Sequence, residues 1–416
     1  MTAGLSRRRF MKIGVALMLA ISSLAVNSAA VAEDRLDAFV GTWSTAMHPP
    51  DAGFGFVNSG FNNQTLRQIV HTSIGGDRVR VRLSTFGARA LVIGAAHIAL
   101  RASGAAIVPG TDRVLTFSGS PSITIPPGAQ ILSDPVDLDV PALSDLAVSI
   151  FVPGATGPAT WHILALQTSY ISPHDDFTAS VVMPVLTTTQ SWFWLAGVAV
   201  TASKQTGAIA ILGDSITDGE GSTPDGNNRW PDQLARRLMA RPGNHHFGVL
   251  NAGIIGNRIL HDRLAPNALA RFDRDVLAQP GVTHVIVLQG LNDIGIAGIL
   301  PAEAVTADQV IEGHKQLIER ARARGLTIYG ATLTPCAGTT VLPAFCTPEH
   351  EAQRQAVNAW IRTSGEYDAV IDFDLVLRDP TNPSALLPAY DSGDHGHPNV
   401  AGYKAMADAI DLSLFK

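Results

Sequence analysis

Two hydrophobic patterns divide the chain. From about residue 37 to 202, short apolar stretches are separated by Gly, Pro, Asp and Ser, as in the turn at 126–128. Residues 78–83 alternate strictly between polar and apolar side chains, which is typical of a strand with one side facing solvent. Similar short runs predict strands at 91–93, 114–117, 122–125, 146–152 and 161–166. Regular short strands without a helical pattern between them predict a β-sandwich of the jelly-roll type over residues 37–202.

Apolar strands alternate with helical patterns after about residue 204. One helix is expected to begin near Pro231, because proline suits a first helical turn and Leu234 and Leu238 follow at i, i+4 spacing. A second helical face is formed by Val310, His314, Leu317, Ile318 and Ala321. The strands are predicted at 208–212, 247–250, 284–288, 326–333 and 369–373. Five such βα units predict an α/β fold with a parallel sheet covered on both faces, and functional residues beyond the carboxyl ends of its strands.

The N-terminus has the features of an export signal. Residues 6–12 read SRRRFMK and resemble the twin-arginine consensus. An apolar stretch at 13–26 follows, too short to cross a bilayer, and residues 30–32 read AVA, a signal-peptidase site. We therefore expect a twin-arginine signal peptide over residues 1–32 and a mature protein that is periplasmic or secreted, without stable membrane insertion.

Composition and charge exclude several classes of protein. Hydrophobic residues make up 46% of the chain and charged residues 16%, which is enough for two buried cores and argues against disorder. The formal net charge is −6 and no basic cluster is present, so nucleic acid is not an expected partner.

The two cysteines, Cys336 and Cys346, lie ten positions apart in a loop rich in Thr, Pro and Gly. An oxidising compartment favours a disulfide between them, which would stabilise the fold by about 2–3 kcal/mol on the chain-entropy estimate. Two unpaired thiols are the alternative.

Four loops that follow predicted strands carry polar motifs. In chain order they read GDSITDG at 213–219, NAGIIGN at 251–257, GLND at 290–293 and DHGHP at 394–398. Each is a weak signal alone. Together and in this order they resemble the four blocks of the SGNH, or GDSL-type, hydrolase superfamily over residues 205–416. The first block reads GDSIT rather than GDSL, which leaves the serine in place.

The resemblance implies a five-stranded, parallel, doubly wound (flavodoxin-like) hydrolase domain that performs acyl transfer. A serine hydroxyl is a poor nucleophile until a neighbouring base takes its proton. Ser215 would be the nucleophile, His397 the base and Asp394 the carboxylate that orients it. The three-residue spacing of Asp394 and His397 lets one turn hold the carboxylate against Nδ1 while Nε2 faces the serine.

The resemblance also implies an oxyanion hole. Its donors would be the backbone N–H groups of Ser215 and Gly256 and the side-chain amide of Asn292. Glycine at 256 lets the backbone approach the substrate closely. No cofactor and no metal ion are expected for this chemistry.

Other residues compete for these roles. His395 could be the base instead of His397, and Asp391 could be the partner carboxylate. Asp214 and Asp293 adjoin the expected catalytic residues, and we expect them to brace loops by hydrogen bonds to the backbone. The loop at 377–394 is expected to form one wall of the pocket.

The expected function is that of an exported serine esterase acting on a small-molecule or glycan ester. O-deacetylation of a carbohydrate or polysaccharide is the expected reaction, because it suits the compartment and no long hydrophobic lid typical of lipases is visible. The alternatives are a short-chain lipolytic or aryl esterase, and a carbohydrate-binding protein that has lost catalysis. The intact set of motif residues argues against the last of these.

Overall fold

The computed structural model describes residues 38–50, 60–87, 89–203, 206–243 and 246–416. The expected signal peptide, residues 1–32, lies outside these ranges. Within them, no helix is both long enough and apolar enough to cross a membrane.

Residues 38–203, which we call the β-region, contain strands and no helix among their described residues. One sheet has the order β1-β16-β3-β10, with β9 beside β3, and a second has the order β14-β13-β2-β11-β5-β6, with β7 beside β5; β12-β15 and β4-β8 are short additional pairs. All these pairings are antiparallel. The strands are β1 Phe39–Ser44, β2 Gln64–His71, β3 Gly76–Ser84, β4 Leu91–Ile93, β5 Ala95–Ser103, β6 Ala106–Ile107, β7 Arg113–Val114, β8 Ile123–Ile125, β9 Gln130–Leu132, β10 Val136–Val140, β11 Asp145–Val152, β12 Trp161–His162, β13 Ser169–His174, β14 Thr187–Thr189, β15 Trp192–Phe193 and β16 Leu195–Thr201.

The alternating segment predicted at 78–83 lies in β3. Its apolar residues Val79, Val81 and Leu83 are buried, as alternation requires. Arg82, on the face expected to meet solvent, is also buried, and its guanidinium donates to the side chain of Gln279. The C-terminal half of the chain therefore covers part of this face.

Residues 206–416, which we call the α/β-region, form the predicted five-stranded parallel sheet, with strand order β18-β17-β19-β20-β21. This arrangement confirms the predicted α/β fold class. The strands are β17 Gly207–Gly213, β18 Phe247–Gly253, β19 Val282–Leu288, β20 Thr327–Ala331 and β21 Ala369–Ile371, followed by a hairpin of β22 Arg378–Asp379 and β23 Asn382–Leu386. The helices are α1 Ser215–Asp218, α2 Trp230–Met239, α3 Ala268–Phe272, α4 Leu291–Gly295, α5 Ala307–Arg322, α6 Pro348–Thr363, α7 Phe373–Leu377 and α8 Val400–Ala409.

The strand order determines where a site can form. The first strand, β17, lies inside the sheet with β18 on one side and β19 on the other. The connection after β17 leads to β18 on one side, and the connection after β18 leads to β19 on the other, so the strand order reverses at β17 and a crevice opens at the carboxyl ends of these strands. The loops after β17, β18 and β19 therefore meet there.

One hydrophobic cluster runs through both regions. It includes Val79 and Val148 of the β-region and Leu250 and Val285 of the parallel sheet. The backbones also approach closely, because a Cβ placed on Gly248 would lie only 1.9 Å from the carbonyl oxygen of Gly41. Strand β16 ends at Thr201 and β17 begins at Gly207, so the predicted boundary at 202–205 falls between two strands that share a core.

The predicted disulfide between Cys336 and Cys346 is confirmed, with the Cα atoms 5.9 Å apart. Cys336 is buried, and Phe345 of the closed loop packs against Gly295 at the end of α4. The bridge therefore holds the 336–346 loop against the helix that follows β19.

We expect replacement of both cysteines by serine to lower the free energy of unfolding by about 2–3 kcal/mol, because the bridge restricts a short loop in the unfolded chain. Urea unfolding of the double variant and the wild type measures the loss. Labelling of the wild type under denaturing, non-reducing conditions should find no free thiol. Two labelled thiols per chain would contradict the bridge.

Candidate active site

Ser215 lies where the inner strand β17 gives way to α1. Asp214 caps this short helix, since its carboxylate accepts a hydrogen bond from the backbone N–H of Ile216 at 3.1 Å. Ser215 is therefore the first residue of the helix, at the carboxyl edge of the sheet. Its side chain lines a cavity, although the residue is only 7% exposed.

Two hydrogen bonds link the side chains of Ser215, His397 and Asp394 in a chain, with His397 in the middle. The Ser215 hydroxyl Oγ lies 2.8 Å from His397 Nε2, across 182 positions of the sequence. His397 Nδ1 lies 2.6 Å from Asp394 Oδ2. The structure thus brings the three expected residues together in the order that a serine–histidine–aspartate triad requires.

Asp394 is held as a carboxylate. Its Oδ1 accepts hydrogen bonds from the backbone N–H groups of Gly396 at 2.9 Å and His397 at 2.8 Å, and from the Ser392 hydroxyl at 3.1 Å. Burial alone would raise the pKa of this carboxyl. The hydrogen bond and charge of His397, together with the two backbone donors, outweigh burial and hold the pKa well below its ordinary value.

The competing residues form a separate pair. His395 Nδ1 is hydrogen-bonded to the carboxylate of Asp391, which also accepts the backbone N–H groups of Gly393 and His395. The His395 side chain is 52% exposed, whereas that of His397 is 11% exposed. The structure therefore gives each histidine its own carboxylate, and only the His397 pair reaches Ser215.

The three expected oxyanion donors face the same cavity, which Ser215, Gly256 and Asn292 line. Gly256 has φ +66°, a conformation that favours glycine. Within the described ranges, the backbone N–H groups of Ser215 and Gly256 have no acceptor. One amide hydrogen of Asn292 is directed to the carbonyl of Asn257, at 3.2 Å, and the other is available to a ligand.

Asp214 and Asp293 accept hydrogen bonds from the backbone, as expected from the sequence. Asp293 holds the N–H groups of Ile259 at 2.7 Å and Leu260 at 2.9 Å, and Asp214 caps α1. Burial raises the pKa of both carboxyls to about 6. Both side chains therefore brace the loops after β18 and β17.

Arg271 is a positioning residue that the sequence patterns do not indicate. It is fully buried, and its guanidinium donates to the carbonyls of Gly213 at 3.0 Å and Ala252 at 2.7 Å and to the side chain of Asn257 at 2.9 Å. Burial lowers its pKa to about 10. The sequence gives no sign of this role, because the pattern around a buried arginine in a helix looks the same as the pattern around an exposed one.

The cavity in front of Ser215 has a volume of about 380 Å³. The disulfide-closed loop forms one wall of it through Thr339, Thr340, Val341, Leu342 and Phe345. Other apolar lining residues are Ile216, Ile255, Leu264, Leu291 and Ile296, and the charged ones outside the triad and Asp214 are Glu220 and Arg263.

The prediction that residues 377–394 form one wall of the cavity is wrong, except for Asp394 at the end of the segment. Only Asp394 from this segment lines the cavity. Residues 378–386 fold back on themselves as the β22–β23 hairpin, which uses their backbone groups for pairing.

In the described ranges, no group of three or more His, Cys, Asp or Glu side chains is arranged to hold a metal ion.

Comparison with known proteins gives three findings. Residues 211–405 match the model of the GDSL-like lipase/acylhydrolase family. No curated protein matches the chain. Among solved structures, a GDSL-like lipase from Bacteroides thetaiotaomicron is 20% identical, with a TM-score of 0.38, and the match covers 50% of this chain and 87% of that one. An acetylxylan esterase from Geobacillus stearothermophilus is 22% identical, with a TM-score of 0.38, over 50% and 93% of the two chains.

The family match includes the end of the strand that precedes Ser215, the Gly256 and Asn292 loops, and the Asp394–His397 turn. Every motif from which the resemblance was drawn therefore lies inside the matched segment. Residues 211–405 are therefore a domain of the GDSL-like lipase/acylhydrolase type, which indicates a hydrolase of carboxylic esters.

Proposed function

We propose that the protein hydrolyses esters with short apolar acyl or aryl groups, through an acyl-enzyme on Ser215. The observation that carries the proposal is the Ser215–His397–Asp394 hydrogen-bond chain at a largely apolar cavity. The triad supplies the chemistry, and the cavity supplies the substrate preference.

The geometry supports the following reaction. His397 Nε2 takes the hydroxyl proton of Ser215 as Oγ attacks the ester carbonyl, and Asp394 stabilises the imidazolium that forms. The backbone N–H groups of Ser215 and Gly256 and the amide of Asn292 stabilise the tetrahedral oxyanion. When the intermediate collapses, His397 returns the proton to the leaving alkoxide. Water, activated by His397, then hydrolyses the acyl-serine to a carboxylic acid and the free serine.

The cavity lining favours an apolar substrate group. Apolar side chains from the Gly256, Asn292 and disulfide loops surround the serine. Among the described lining residues Phe345 is the only aromatic side chain besides His397, and there is no Trp or Tyr. Sugar rings commonly stack on such aromatic faces, whereas alkyl and aryl groups gain from burial against aliphatic side chains.

O-deacetylation of a carbohydrate or polysaccharide is the second candidate. It is favoured by the polar residues Glu220, Arg263, Thr339 and Thr340 of the same cavity, which offer hydrogen bonds to sugar hydroxyls. An acetyl group needs only a small part of the apolar wall.

We also propose that the protein works outside the cytoplasm. The twin-arginine motif at residues 6–12 and the AVA site at 30–32 support export. The disulfide between Cys336 and Cys346 supports it independently, because such bridges persist in oxidising compartments.

The triad roles make a mutational prediction. Because Ser215 and His397 act as a unit, Ser215→Ala, His397→Ala and the double variant should lose similar activity, by several orders of magnitude. His395→Ala is the matched control, since this neighbouring histidine pairs with Asp391, and it should stay within a few-fold of the wild type. Steady-state hydrolysis of a chromogenic ester measures all four. A Ser215→Ala variant with a tenth of the wild-type turnover would contradict the triad.

Asn292 should act on the transition state rather than on substrate binding. Removing one oxyanion donor lowers kcat by roughly 10²–10³-fold, so Asn292→Ala should do so while KM changes by only a few-fold. Asn358→Ala is the control, because Asn358 is also buried but bonds only the backbone of Leu333. It should lower the melting temperature with little effect on kcat. A well-folded Asn292→Ala with unchanged kcat would exclude the oxyanion role.

Acyl-chain length separates the two candidate substrates. Each buried methylene contributes about 0.8 kcal/mol, so kcat/KM for p-nitrophenyl butyrate should exceed that for the acetate by roughly tenfold. Val341→Asn, in the cavity wall, should reduce this ratio, whereas Val370→Asn should not. Both valines are similarly exposed, at 40% and 38%, and Val370 lies outside the cavity on β21. Preference for the acetate, with rapid release of acetate from an acetylated polysaccharide, would instead support deacetylation.

A further inference from the structure

A segment of the β-region, residues 161–168, runs along the loop behind Ser215. Sequence patterns predict a strand here, but only Trp161–His162 pair as one. The segment also makes polar contacts with the α/β-region. These contacts join His162 to Asp218, the carbonyl of Ala165 to Arg229, and Thr168 to Asp225.

Asp218 connects the nucleophile turn to the oxyanion loop. It is the last residue of α1, the helix that begins at Ser215, and it is buried. Its Oδ2 accepts the backbone N–H of Ile255 at 3.1 Å. The next N–H group along the chain is that of Gly256, the proposed oxyanion donor. The orientation of this one carboxylate therefore affects the distance between two of the groups that must surround the reacting carbonyl.

His162 holds the other oxygen of that carboxylate. Its Nε2 lies 2.9 Å from Asp218 Oδ1, and its Nδ1 lies 2.8 Å from the carbonyl oxygen of Ala46. A carbonyl only accepts, so Nδ1 donates to Ala46, and a proton lies between Nε2 and the carboxylate. With both nitrogens bonded, the imidazole ring has one orientation.

The side chain of His162 is buried among other rings. The ring is 1% exposed and lies between His48, at a centroid distance of 5.4 Å, and Trp192, at 5.5 Å. His48 is fully buried, and burial, with His162 and Arg271 nearby, lowers its pKa well below the ordinary value. Hydrogen bonds to an ionised group are stronger in such a low-dielectric environment than in water. No other side chain among the described residues bonds the Asp218 carboxylate.

We propose that His162 is a positioning residue for ester hydrolysis, through which the β-region fixes Asp218 and thereby the oxyanion loop at Ile255–Gly256. The inference rests on the proposed oxyanion role of Gly256. Without the Nε2 contact, the Asp218 carboxylate lacks one of its two partners and can rotate away from Ile255. A displacement of about 1 Å at a catalytic group can cost roughly 10²-fold in rate.

Two neutral amides at position 162 test this role. The side-chain nitrogen of asparagine lies near the position of Nδ1, so His162→Asn retains a donor toward Ala46 and loses the reach to Asp218. His162→Gln places its nitrogen near Nε2 and retains the donor to Asp218. We expect His162→Asn to lower kcat by roughly 10–100-fold with KM within threefold, and His162→Gln to recover most of the loss. His97→Gln is the matched control, because His97 bonds Asp112 through Nδ1, so glutamine removes this histidine–carboxylate bond away from Ser215 as asparagine does at position 162.

Turnover is expressed per active site, counted by end-point labelling with a phosphonate ester, so that unfolded protein does not enter kcat. If kcat of His162→Asn equals that of His97→Gln, or if the asparagine and glutamine variants of His162 lose equal activity, His162 does not act through Asp218. The proposed function itself is tested separately by Ser215→Ala, which loses turnover whether or not His162 has a positioning role.

A second comparison applies if the His162 variants do not fold. Asp218→Asn keeps an acceptor for Ile255 and a donor for His162, whereas Asp218→Ala keeps neither. The alanine variant should lose roughly 10–100-fold in kcat and the asparagine variant should lose much less. Equal kcat in the two variants would overturn the inference.

Discussion

The parallel pairing of β17 with β18 on one side and β19 on the other is the constraint on which the site depends. Because parallel strands end at the same edge, it brings the Ser215, Gly256 and Asn292 loops to one crevice. The Asp394–His397 turn reaches the same crevice from the far end of the chain, and the hydrogen bond between the Ser215 hydroxyl and His397 spans 182 positions. The burial of β17 on all sides makes this edge rigid, since all seven of its residues lie in the core.

Rigidity at the edge of the sheet requires that buried polar groups be paired. Leaving a buried donor or acceptor unbonded costs about 1–3 kcal/mol, and an unpaired charge costs more. Arg271 bonds carbonyls at the ends of both β17 and β18, and Asp293 bonds two N–H groups of the loop after β18. These side chains fix the loop backbone that positions the N–H of Gly256 and the side-chain amide of Asn292. His162 extends the same kind of support from the β-region to Asp218.

Motif residues can be predicted from the amino-acid sequence because their chemistry limits which side chains serve. The resemblance of four ordered loops to the hydrolase blocks points to Ser215, His397, Asp394, Gly256 and Asn292, and the apolar strands indicate the parallel sheet. The supporting residues cannot be predicted in this way. His162 and Arg271 lie in ordinary strand and helix patterns, and their roles come from tertiary contacts with residues 56 and 58 positions away. The cavity wall was expected in the wrong loop, because no sequence pattern marks residues 378–386 as a hairpin.

In the proposed mechanism, catalysis proceeds through an ester of Ser215. The most direct measurement is acid quenching of the enzyme during turnover of a slowly deacylated ester, followed by peptide mass spectrometry. The wild type should carry the acyl group on the peptide that contains Ser215, and the amount should fall as the substrate is exhausted. Turnover without any acylated peptide would contradict an acyl-enzyme on Ser215. So would acylation of a different residue that disappears as the substrate is exhausted.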